Sequence, residues 1–259
     1  MSETATSQSA GVPVITEVLG RVLVVTINRP HHRNAIDRAT ADGLDAAFNR
    51  LEDDPELWCG VLTGAGGFFS AGSDLTSGGD YSTVRGGEYG LVRRQRRTPL
   101  VAAVEGCALG GGMEIVLACD LVVAARDARF GLPEVGLGVV PTCGGLFRGP
   151  RALPVNVARE MVLTGDPISA SRAYELGFVN RLTEPGEALD EAMRLAERIC
   201  QNSPLAVRTC VRALDEVLGD PTKGWEATEV AKGTVLDSAD AAEGVRSVLE
   251  KRPPRWSGR

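Results

Sequence analysis

"LGGGMEIVLACD", Leu109 to Asp120, sets three glycines in a row and then one carboxylate, Glu114, inside an otherwise apolar run. The β-rich "PLVAAVEG" (99–106) precedes it, and the apolar "LVVAA" (121–125) and "ARFGL" (128–132) follow it. This stretch reads as a buried strand, tight glycine turns, a short helix starting near Gly111 or Gly112, then two further strands. An isolated carboxylate in an apolar site costs several kcal/mol or raises its pKa. Glu114 is therefore paired, or exposed on one helix face, or a tuned acid/base.

The same order recurs towards the N-terminus. "PVITEVLGRVLVVTINRP" (13–30) gives two strands about a hairpin turn at Leu19-Gly20, and "ATADGLDAAFNRLEDDP" (39–55) places Leu44, Phe48 and Leu51 at helical spacing before Pro55. "CGVLTG" (59–64) and "GFFSAG" (67–72) read as short strands, Thr76 to Gly90 as a glycine-rich loop, and "YGLVRRQRR" (89–97) as a helix. Beyond the central stretch, "CGGLFRGPR" (143–151) and "VNVAREMVLTG" (155–165) supply helical material. A recurrence of about 40 to 50 residues in pattern rather than in sequence indicates stacked units. The expected fold is α/β, a superhelical core of strand-strand-helix turns over 13–168. From Ser169 the chain turns to amphipathic helices with "FVNRL" (178–182) as a strand, giving a C-terminal helical region over 169–259. Residues 1–12, small and polar, read as a frayed tail and not as a signal peptide.

Composition narrows the chemistry. No apolar stretch approaches the roughly 20 residues of a membrane span. With 259 residues, a net charge of -6 and a slightly negative mean hydropathy, the chain reads as a soluble protein without nonspecific nucleic-acid affinity. Six scattered cysteines without a CxxC pair read as reduced, buried and cytoplasmic. The two histidines, His31 and His32, give little material for a metal site or a catalytic triad. No GxGxxG opens a helix, so no dinucleotide site is expected. Carboxylates and backbone dipoles are left to carry the chemistry.

Helix N-termini and glycine turns present free N–H groups to negative charge. "FFSAGSDL" (68–75) holds a second such turn, Ala71-Gly72-Ser73 before Asp74, where Asp74 serves equally well as a cap. Two such turns facing each other form an oxyanion hole. Glu134, after Pro133 in "GLPEVGLGVVP" (131–141), is a second lone glutamate, of a kind usually solvated in loops. Two glutamates beside two anion-favouring turns can hold one water and move its protons. The arginine run Arg93, Arg94, Arg96 and Arg97 reads as a solvated helix face or as an attractor of nucleotide phosphates.

In these motifs the sequence resembles the crotonase, or enoyl-CoA hydratase/isomerase, superfamily. The resemblance rests on "RPHHRNAID" (29–37), "FFSAGSDL", "ALGGGMEI" (108–115), "FGLPEVGLGVVPTCGG" (130–145), "TGDPISASRAYELGFVN" (164–180) and "EGVRSVLEKRPPRWSGR" (243–259), in family order. It implies a spiral of repeated ββα units with a C-terminal helical trimerisation region, assembled as a homotrimer or dimer of trimers. It implies reversible addition of water to a 2-enoyl-CoA, with the coenzyme A thioester as substrate and neither metal nor other cofactor. The backbone N–H groups of Ser73 and Gly111 would hold the thioester oxygen. Glu134 would deliver a proton to the α-carbon, and Glu114 would activate the water. Arg33, Ala35, Ala71, Gly72, Asp74, Leu75, Gly110, Pro133, Thr142 and Lys251 fall at positions expected to contact acyl-CoA. Departures from the family pattern are Ser73 for a commoner alanine, Thr142-Cys143 for smaller residues, and Phe147 for a polar one. The alternatives are a carnitinyl-CoA dehydratase-like or enoyl-CoA isomerase activity, or an acyl-CoA- or RNA-binding protein without turnover.

Overall fold

The computed structural model describes residues 11–77, 81–217 and 222–257. Residues 1–10 of the expected tail therefore lie outside the described residues. β1 (Val14–Leu19) and β2 (Val22–Ile27) form the expected antiparallel hairpin. α1 (Arg38–Asp53) follows, capped by Asp37, whose side chain accepts from the Thr40 N–H, and it buries Leu44, Phe48 and Leu51. Then come β3 (Cys59–Gly64), a small hairpin of β4 (Ser82–Thr83) and β5 (Gly87–Glu88), β6 (Leu100–Val104), β7 (Cys107–Leu109) and α2 (Gly111–Val116). β8 (Leu121–Ala125), β9 (Arg129–Gly131), α3 (Gly145–Ala152), α4 (Val155–Thr164) and β10 (Ile168–Ser169) complete the repeating part. The C-terminal stretch holds α5 (Ala170–Glu175), β11 (Arg181–Thr183), α6 (Ala188–Cys200), α7 (Pro204–Val217), α8 (Thr222–Val235) and α9 (Ala239–Leu249).

Two layers of strand explain the recurrence in the sequence. The main sheet runs β1-β2-β3-β6-β8-β11, parallel from β2 onward. Its central strands are near-continuous apolar runs, as expected for a parallel sheet covered on both faces. The second layer is the sheet β10-β9-β7, extended by parallel bridges from Ala108 to Ser70 and from Ser73 to Ile36. Each turn of the chain thus gives one strand to the first layer, a short extended segment to the second, and then a helix or loop. Phe48, Phe69 and Phe130 are fully buried in one large apolar cluster that joins α1 to these layers, each stabilising the core by about 1.5–3 kcal/mol. On the other face α6 packs Ala188, Ala192 and Ala196 against Val61, Val101 and Val123. β11 and α6 therefore return from the helical stretch to the main sheet.

Residues 89–97 depart from the expected helix: they form turns and extended chain. Tyr89 has φ +57° and Gly90 φ +73°, which a helix excludes. The arginines neither form a solvated helix face nor wait for phosphates, because carboxylates of this chain hold them. Arg94, with its side chain 3% exposed, pairs with Asp45 at 2.6 Å. Arg96 makes a two-pronged bridge to Asp120 at 2.6 and 3.0 Å. Arg97 and Thr98 donate backbone N–H groups to Glu52, and Arg93 pairs with Glu88 and Glu229. The cysteines are all free, as read, but burial holds only for Cys59 and Cys143, and Cys210 is exposed on α7. No helix among the described residues is long and apolar enough to cross a membrane.

Candidate active site

The second strand layer delivers two turns to one place. Parallel pairing sends the Ile36 N–H to the Gly72 carbonyl and the Asp74 N–H to the Ile36 carbonyl, which leaves the N–H of Ser73, between them, facing away from that ladder. On the neighbouring turn the Gly110 N–H donates to Gly131, and Gly111 opens α2. Among the described residues neither the Ser73 nor the Gly111 N–H has a hydrogen-bond partner. The two turns touch: a Cβ placed on Gly72 would lie 2.8 Å from the Gly111 nitrogen and 2.8 Å from the Leu109 carbonyl oxygen. Gly72 at φ +91° and Gly110 at φ +54° supply backbone shapes that L side chains rarely adopt. Two free N–H groups on adjoining turns, one at a helix N-terminus, are the donor arrangement for a developing oxyanion.

Glu114, on the first turn of α2, is 1% exposed. Its Oε1 accepts from the N–H groups of Cys143 at 2.7 Å and Gly145 at 2.8 Å, in the loop before α3. Glu134 opens a 3₁₀ turn (Glu134–Leu137) directly after Pro133 and is 9% exposed, against the usual solvation of loop acids. Its Oε1 lies 3.4 Å from where a Cβ on Gly110 would stand, and its Oε2 is buried with no hydrogen-bond partner. α9 and Trp256 pack over this turn: a Gly138 Cβ would meet the Asp240 carbonyl oxygen and the Trp256 ring. The helical stretch thus packs on the turn that carries Glu134.

Burial raises both carboxyls, Glu114 to about 8 and Glu134 to about 7, and the charge of Glu134 adds to the rise at Glu114. The two carboxyls are coupled, so the charge of one raises the cost of ionising the other. Deeper burial of Glu114 favours its protonated form, while the two N–H donors on its Oε1 favour its carboxylate.

The structure brings Ser73, Gly111, Glu114, Glu134, Gly72 and Gly110 together, with Ala71 anchored beside them by its N–H to the Arg33 carbonyl. The Asp74 carboxylate is taken up by Arg29 at 2.9 Å and by the backbone N–H and hydroxyl of Thr76. Thr76 and Arg29 hold it below its ordinary pKa, so its side chain braces the turn instead of facing a ligand. Arg29 also donates to the Ala35 carbonyl. Thr142 is half-buried, 3.6 Å from the Cys143 sulfur, and Leu75 is 51% exposed. Arg33, at φ +50°, and Lys251, beyond α9, are exposed at the surface. Sequence reading missed the N–H donors of Cys143 and Gly145, and also Tyr89, whose hydroxyl is 2.7 Å from the Ser73 hydroxyl. The glycines about Tyr89 marked a turn, but nothing local marked its destination.

Spiral, paired donors and paired carboxylates together define an enzyme of the crotonase superfamily. The chain belongs to the enoyl-CoA hydratase/isomerase family, whose model matches residues 17–259. It is 40% identical over 252 residues to the carnitinyl-CoA dehydratase of Salmonella paratyphi A, covering 93% of this chain and 96% of that protein. Among solved structures, a carnitinyl-CoA hydratase from Mycobacterium avium superposes with a TM-score of 0.92 at 40% identity, covering 96% of this chain and 99% of that one. An enoyl-CoA hydratase from Mycobacterium tuberculosis H37Rv is 45% identical with a TM-score of 0.78, covering 96% and 100%. These relatives make the chain a hydratase-like lyase.

Proposed function

We propose that this enzyme adds water reversibly to the double bond of a 2-enoyl-CoA, giving a 3-hydroxyacyl-CoA. One observation carries the reading: two buried glutamates, Glu114 and Glu134, lie beside two backbone N–H groups that are free among the described residues. The thioester oxygen accepts from the N–H groups of Ser73 and Gly111, which draws electron density from the β-carbon. Glu114, as carboxylate, takes a proton from water while the water oxygen bonds to the β-carbon. The resulting enolate collapses as Glu134 passes its proton to the α-carbon. One proton enters the pair at Glu114 and one leaves it from Glu134, so the total is unchanged and a proton must return to Glu134 before the next turnover. Reversal is dehydration. No redox group or metal enters this scheme.

Coenzyme A runs along the surface side of the second layer in this reading, past Arg33, Ala35, Ala71, Leu75 and Thr142, with Pro133 and Gly110 flanking the thioester and Lys251 reaching a phosphate. Residues 13–168 act as the catalytic core and 169–259 as the assembling region, with β11 and α6 shared between them. A homotrimer or dimer of trimers is supported by apolar side chains exposed along α7 to α9, Leu205, Leu214, Val230 and Leu249 among them. Free cysteines support a cytoplasmic setting, and the chemistry suits the hydration step of fatty acid β-oxidation.

Likeness to carnitinyl-CoA dehydratases favours a second reading, in which the substrate bears a trimethylammonium group on its γ-carbon. The test is loss of enoyl-thioester ultraviolet absorbance with straight-chain 2-enoyl-CoAs from four carbons upward and with 4-trimethylammonio-2-butenoyl-CoA, products being weighed by mass spectrometry. Gain of one water on the straight chains is expected. Gain only on the cationic substrate would replace the first reading by the second. Binding without any product would overturn both.

A further inference from the structure

The hairpin β4–β5 sits between the two oxyanion-hole turns in sequence, and its flanking residues reach both. Tyr89 follows β5 directly. It is 3% exposed and has φ +57°, an outlying conformation for a bulky aromatic residue and one that persists only where its surroundings enforce it. Its hydroxyl is hydrogen-bonded to the Ser73 hydroxyl at 2.7 Å. A Cβ on Gly111 would lie 2.4 Å from that same phenolic oxygen, so the hydroxyl fills the space beside the second donor residue as well. Tyr81, just before β4, stacks on Tyr89 with ring centroids 6.2 Å apart, and its hydroxyl donates to the Asp74 carbonyl at 2.7 Å. Consecutive residues of the Ser73-Asp74 turn are thus gripped by two phenols from the two ends of one hairpin.

We propose that Tyr89 is a positioning residue of the oxyanion hole: its hydroxyl, bonded to Ser73 and seated against Gly111, sets the spacing of the two N–H donors. The inference rests on the reading of Ser73 and Gly111 as those donors. Burial, and then the nearby Cys143 and Glu114, push the phenol well above its ordinary pKa, so it keeps its proton throughout the working range. Ser73 completes the device. An alanine there would leave the N–H in place but take the Ser73 turn out of the phenol's grip, with Cys143 as the phenol's remaining partner.

Tyr89→Phe keeps the ring and removes the hydroxyl. Two readouts report the hole: kcat and KM with 2-butenoyl-CoA, and the near-ultraviolet enolate band of bound 3-ketobutanoyl-CoA, whose ionisation the donors promote. The expected result is a roughly tenfold or greater fall in kcat with KM changed less than about threefold. The apparent pKa of the bound ketoacyl-CoA should rise by about one unit. Ser73→Ala removes the same hydrogen bond from its other end while leaving the phenol on Cys143, so it should move both readouts in the same direction, and the double variant should be no worse than Tyr89→Phe alone. Should Tyr89→Phe not fold, as judged by circular dichroism, the same readouts on Ser73→Ala decide. Normal kcat and an unchanged band in Tyr89→Phe overturn the proposal for Tyr89 alone, as do effects that simply add. Absence of an enolate band in the wild-type enzyme overturns the donor reading and this proposal with it.

Discussion

Replacing Glu114 by glutamine removes a charge but keeps an oxygen for the N–H groups of Cys143 and Gly145. Its carboxyl rises from 4.5 to about 8 on folding. A raised folded-state pKa means that the contribution to stability is fully present below the unfolded value and is lost as pH climbs through the folded one. At about 1.4 kcal/mol per unit, the ionised carboxylate costs at most roughly 5 kcal/mol of stability in alkaline solution. Repulsion from Glu134 contributes part of that rise, and the variant frees Glu134 to ionise in turn, so about 2–3 kcal/mol is the expected net gain. At roughly 2 °C per kcal/mol, Glu114→Gln should melt about 4–6 °C above wild type at pH 9 and within about 1 °C of it at pH 5. Melting curves by circular dichroism across this range check it. A difference that does not grow with pH, or a variant that melts lower at pH 9, would refute the argument that a buried charge is being carried for chemistry.

Further consequences can be read at the bench. Glu134→Gln and Glu114→Gln should each lower kcat at least about a hundredfold with the fold intact, and near-normal turnover in either would remove that residue from the chemistry. With both carboxyls raised by burial and one needed as acid and the other as base, kcat/KM for the wild-type enzyme should fall on both sides of neutrality; a flat profile from pH 5 to 9 would contradict this. Gly72→Ala places a methyl 2.8 Å from the Gly111 nitrogen and should cost about a hundredfold or more in kcat by parting the donors. Arg96→Ala leaves Asp120 with the Leu100 N–H but without its ion partner, and a loss of about 2–3 kcal/mol should appear in denaturant unfolding while kcat of the folded enzyme is kept.

What was legible in the sequence depended on how locally each feature is determined. The strands of the main sheet are apolar runs whose burial follows from composition, and the glycines at 110–112 announced a tight turn before a helix. Glu114 and Glu134 were visible as carboxylates with little polar company. The arginine run was misread because its structure is set by Asp45, Glu52 and Asp120, which lie far off in the chain; pairing with them outweighs the helical propensity of the segment. Asp74 was expected to contact acyl-CoA, and its partners Arg29 and Thr76 instead give its side chain a bracing part that spacing alone does not reveal. Tyr89 escaped notice because a tyrosine between glycines is ordinary, and only the folded hairpin carries it to Ser73.

The near-contact of Gly72 with Gly111 has a bearing on how activity can be lost. The N–H groups of Ser73 and Gly111, proposed above as the oxyanion donors, belong to different turns of the spiral and are brought to their spacing only when both turns have stacked. Any partial opening that lets one layer slip against the next disables the hole before it exposes much core. Residual turnover during gentle denaturation should therefore vanish ahead of the circular dichroism signal, making the enzyme's own catalysis a gauge of whether its coils are fully wound.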